Sequence, residues 1–132
     1  MKIRYAVLAD AANVSQEGKT NILGIFTNLQ TSKVPCILPK SVLVVMTQPE
    51  TGDTATSGVL RIEIVDPEAN ILIETQIDVD FGQIVLRGQH VTFLNIEMFR
   101  IPYFGDYEIR LWLGEESETV CLAVLPIEEA TQ

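Results

Sequence analysis

The sequence predicts an all-β chain: a single antiparallel β-sandwich of about eight strands spanning residues 1–132, with Greek-key or jelly-roll connections. Three observations predict it. Apolar and polar residues alternate with a period of two in several runs. Val, Ile and Thr together supply 38 residues, a β-branched load suited to pleated surfaces. Turn residues interrupt the runs at intervals of roughly 8–12 residues.

The first strand runs from about Ile3 to Val14. Four alanines between Tyr5 and Ala12 give it some helical propensity, but the run is short and Gly18 offers a hairpin turn. A second strand follows from about Thr20 to Gln30, and Pro35 and Pro39 bracket an irregular crossing. Val42-Leu43-Val44-Val45-Met46 is continuously apolar, the mark of a central strand buried on both faces. Leu60-Arg61-Ile62-Glu63-Ile64-Val65 alternates, and Asp66-Pro67-Glu68-Ala69-Asn70 turns it back, Pro67 presetting φ. In the next strand Ile71, Ile73, Ile77, Val79 and Phe81 are expected inward and Glu74, Gln76, Asp78 and Asp80 outward. A sixth strand spans about His90 to Phe99. The seventh, Tyr107 to Leu113, places Trp112 outside, and Gly114-Glu115-Glu116-Ser117 turns it into an eighth, Thr119 to Leu125.

Nine basic residues stand against 18 acidic ones, a net charge of −9 that repels phosphate backbones and anionic headgroups. Neither nucleic acid nor a membrane is therefore an expected partner. From Asp106 onward seven acids face one base, Arg110, so this end alone carries −6. The apolar run beginning at Tyr5 is cut by Asp10, too short for a signal-peptide core, and a cytoplasmic protein is expected. Cys36 and Cys121 are too few for a disulfide framework and are read as buried thiols.

Motifs that carry chemistry are weak. Asn13-Val14-Ser15-Gln16-Glu17-Gly18-Lys19-Thr20 ends like a phosphate-binding loop, but its first glycine is replaced and β-branched residues follow, so a hairpin is expected. His90, the one histidine, lacks a nucleophile elbow or metal spacing around it. Glu74, Asp78 and Asp80 could do acid–base work only inside a cleft; on a sheet surface they are a solvated row. Asp66, Glu68 and Asn70 hold oxygens for a loose calcium site without the dense ladder of a dedicated loop. No catalytic residue, metal or cofactor is assigned, and an enzyme is not expected. Phe99-Arg100-Ile101-Pro102-Tyr103-Phe104 gathers aromatics in one loop, and Gly105-Asp106-Tyr107 matches the corner in which a tyrosine hydroxyl bonds nearby backbone.

Leu8-Ala9-Asp10-Ala11-Ala12-Asn13-Val14, then Gly18-Lys19-Thr20 and Asn21-Ile22-Leu23-Gly24-Ile25-Phe26, resemble an uncharacterised family of small bacterial β-sandwich proteins, a domain of unknown function. Asp66-Pro67 and Gly105-Asp106-Tyr107 extend the likeness over nearly the whole chain. The resemblance implies no activity or ligand; it marks Asp10, Asn13 and Asn21 as positions that matter to the fold.

The expected function is a non-enzymatic binding or assembly module. It would act through a sheet face or edge and the aromatic loop, with Phe99, Tyr103, Phe104 and Trp112 as the contact residues. Its partner would be another protein or a second copy of the chain, because Trp112 and Leu72 fall on faces that should be polar. The alternative is a small-ligand or carbohydrate-binding sandwich.

Overall fold

A computed structural model describes residues 1–50, 57–80 and 90–127. The β-branched, alternating runs form eleven strands among them and no helix. They are β1 (Lys2–Val14), β2 (Thr20–Ile25), β3 (Asn28–Thr31), β4 (Cys36–Ile37), β5 (Ser41–Gln48), β6 (Ser57–Val65), β7 (Ile71–Asp80), β8 (His90–Ile96), β9 (Arg100–Ile101), β10 (Gly105–Leu113) and β11 (Glu116–Pro126).

Two sheets make the sandwich. One has the order β2-β1-β5-β8, the other β3-β11-β10-β6-β7, and β4 with β9 forms a small ribbon beside them. Alternation explains which side chains meet between the sheets. Leu8, Leu43, Val45 and Ile96 come from the first sheet. Leu60, Ile62, Ile64, Ile109, Leu111 and Leu122 come from the second, in the same buried cluster. Each such side chain contributes about 1.5–3 kcal/mol by leaving water.

β5 lies between β1 and β8 as its unbroken apolar run predicts, and both of its faces are used. Leu43 and Val45 enter the core, while Val42 and Val44 join Ala9 in a second apolar cluster flanked by Tyr5, Val7, Val91 and Phe93. The outward face of the other sheet is charged. There Arg61 meets Glu63 at 2.5 Å and Glu74 at 3.6 Å, and Arg110 meets Glu108 at 2.9 Å.

Several expectations are corrected. The second predicted strand, Thr20 to Gln30, is two strands in different sheets. Gly24 takes a left-handed φ of 72°, Phe26 donates its N–H to the Leu8 carbonyl at 2.9 Å and packs on the core, and β3 then joins the other sheet. There it runs parallel to β11, the one parallel pair among the described strands. The predicted sixth strand stops at Ile96 and leaves Phe99 in the following turn. Ile71 and Ile73 are expected inside, yet both are exposed, because β7 is the outermost described strand of its sheet and only Ile77 and Val79 reach the core. Phe81 lies outside the described residues, as do Glu128 and Glu129 of the acidic end. Cys36 is half-buried, and Cys121, expected buried, is exposed because it alternates outward between Val120 and Leu122; both are free thiols.

Leu111 is fully buried in the middle of the core. Leu111→Ala should lower the unfolding free energy by about 2–5 kcal/mol, measured by urea denaturation.

Candidate functional site

The loop between β8 and β10 is pinned at three points. β9 pairs with β4 through Cys36 with Ile101 and Ile37 with Arg100. The Leu38 N–H donates to the Phe99 carbonyl at 2.8 Å. The Tyr107 hydroxyl donates to the Tyr103 carbonyl at 2.8 Å and accepts from the Tyr103 N–H at 3.0 Å. This is the tyrosine corner that Gly105-Asp106-Tyr107 announces. Gly105 permits it with φ 128°, and a β-carbon there would stand 2.9 Å from the Pro67 ring.

Pinning decides what each aromatic does. Phe99 is 7% exposed and belongs to the core, so it is not the surface residue that its place in the loop suggested. Tyr103 and Phe104 are exposed, and Met98, at φ 57°, stands 80% exposed beside them. Across from the loop lies the Ile71 end of β7, where Leu72 occupies a bulge opposite Ile64 and Val65. Loop and strand enclose an open groove of about 510 Å³ lined by Leu72, Ile73, Met98, Phe99, Pro102 and Tyr103. Asp66, Asn70, Glu97 and Arg100 supply its polar rim. The Glu97 carboxylate is paired with Lys40 at 3.3 Å.

Asp66 is occupied by its own turn. Its Oδ1 accepts the N–H groups of Glu68 and Asn70, each at 2.9 Å, and Oδ2 lies 3.3 Å from the Asn70 amide nitrogen. The oxygens weighed for calcium thus close a backbone turn. Among the described residues, no group of three or more His, Cys, Asp or Glu side chains converges as a metal cradle.

The other candidate residues lie elsewhere. Trp112 is on the charged outer face near the far end of β10, roughly 23 Å along the strand from Gly105, where the loop ends. Its ring is covered by Arg61, whose guanidinium carbon is 4.9 Å from the ring centroid. Glu74, Asp78 and Asp80 stand on an open row of that face, not in a cleft. Asp10, Asn13 and Asn21 belong to the β1–β2 hairpin. Asn21 Nδ2 donates to Asn13 Oδ1 across the strands at 2.9 Å, and the Asp10 carboxylate lies over Gly24, whose missing side chain makes the room. The Gly18-Lys19 stretch is a hairpin turn closed by Ser15, with the Ser15 N–H donating to the Lys19 carbonyl at 2.8 Å. Sequence reasoning missed Met98, Ile71 and Ile73 as surface residues. Nothing local marks a methionine for left-handed backbone, and alternation alone does not tell which strand borders its sheet.

The profile of a family of unknown function, DUF6941, matches residues 4–124, and the chain belongs to that family. No curated protein matches it in sequence.

Burial pushes the Tyr107 phenol above its ordinary pKa; the hydrogen bond to Tyr103 opposes this and the charge of Asp66 adds to it. The unfolded chain therefore ionises this group first, near pH 10, and the stability held below that value falls as pH rises through it. Tyr107→Phe should cost about 1–2 kcal/mol at neutral pH. It should also shrink the alkaline loss of stability, measured as urea midpoints between neutral pH and about pH 11.

Proposed function

We propose that the chain is a non-enzymatic binding module that holds a protein partner in the groove between the aromatic loop and the Ile71 end of β7. One observation carries the reading: the exposed apolar side chains of two separate segments, Met98 and Tyr103 with Leu72 and Ile73, line one groove. The loop's three anchors support it, because a contact surface already ordered loses little entropy on binding. The setting we propose is the cytoplasm, where an exposed Cys121 would remain a thiol. A sugar platform on Trp112 is less favoured, since Arg61 already stacks on that ring.

Short random peptides displayed as a library and selected on the immobilised protein test the reading. The expected binders lose at least about tenfold in affinity on Met98→Asp and on Leu72→Asp. Both side chains are exposed, and aspartate tolerates the left-handed backbone at Met98. Failure to select any peptide, or peptides indifferent to both changes, would overturn it.

Self-association is a second reading, favoured by the outward face of the four-stranded sheet. Tyr5, Val7, Val91 and Phe93 flank its apolar cluster, and Leu23 and Ile25 are exposed on β2. Light scattering coupled to size exclusion should then show a dimer that Val7→Lys returns to monomer; a monomer at every concentration would end this reading.

A further inference from the structure

We infer that the occupant is an extended partner segment with alternating basic and apolar side chains, added as a further strand along β7. This deepens the groove reading and rests on it. Among the described residues, β7 closes the order β3-β11-β10-β6-β7 with no strand on its other side. Its ten residues give an edge roughly 33 Å long, with backbone groups facing away from β6. The groove begins at the Leu72 end of this edge, so a segment seated among Met98 and Tyr103 is led onto β7.

The two faces of β7 specify the occupant. Ile73, Ile77 and Val79 lie on the side that turns toward the core. Glu74, Gln76, Asp78 and Asp80 form the other row, which shares its face with Arg61 and Glu63 of β6. Side chains directly opposite in neighbouring strands interact, attracting when charges differ and repelling when they match. A segment beside β7 must therefore offer apolar groups to one row and Lys or Arg to the other. A second copy fails this requirement. β7 contains no Lys or Arg, so pairing β7 with β7 sets the acidic row against itself. The same acids that discourage self-pairing select a basic partner.

The test uses the whole chain, labelled with nitrogen-15, and a capped peptide of sequence Thr-Val-Lys-Val-Arg-Ile-Lys-Thr. Its charge-reversed twin carries Glu for each Lys and Arg. The basic peptide should shift amides of β7 and of the groove saturably, and slow hydrogen exchange along β7. The twin should bind at least about tenfold more weakly, and Asp78→Lys should remove most of that preference. Equal binding of both peptides, or binding without protection of β7 amides, would sink the inference. If library peptides still depend on Met98 while β7 stays unprotected, groove binding stands and strand addition falls. If no peptide depends on Met98, both fall.

Discussion

A single buried hydroxyl organises the end of the molecule where the groove lies. Tyr107 is fully inside, and its oxygen serves both the N–H and the carbonyl of Tyr103. Unserved, those two backbone groups would draw the loop toward water. Held, they fix where the chain leaves the core. Phe99 then lies beneath the loop as filling, and Tyr103 and Phe104 are left above it. Pro67 packs against Gly105 at the same corner, so the turn before β7 and the loop before β10 are positioned by one junction. The groove is the gap between two segments that share an anchor.

The two sheets present unlike outer surfaces. β5 is apolar on both faces and carries hydrophobic character through its sheet to the outside, where flanking side chains lean over Val42 and Val44. The five-stranded sheet is alternately patterned and turns a lattice of charges outward. Glu63 is buried there beneath Arg61, which also covers Trp112 and contacts Glu74. One guanidinium thus neutralises the carboxylates on either side of it and shields the indole.

Much of this was legible in the sequence. Period-two runs gave the strands, the continuous run at 42–46 gave the central one, and Gly105-Asp106-Tyr107 gave the corner with its donor and acceptor. Local pattern did not reveal long-range geometry. The break at Phe26 depends on a core that must be filled by a side chain from a strand changing sheets. The exposure of Ile71 and Ile73 depends on β7 lying at the border of its sheet. For the site, Tyr103 and Phe104 were visible as aromatics in a loop. That Phe99 is sealed beneath them, and that Trp112 stands at the other end of β10, follows only from the fold.

The parallel pairing of β3 with β11 has a consequence for how the protein is made. Asn28 finds its partner Ala123 only after almost all of the described chain has been synthesised. Until β11 leaves the ribosome, β10 and β3 both lack the neighbour that lies between them in the finished sheet. Strand edges then stand open until β11 arrives, the situation in which nascent β proteins most need chaperones. β11, the last of the described strands, is the one that closes the five-stranded sheet.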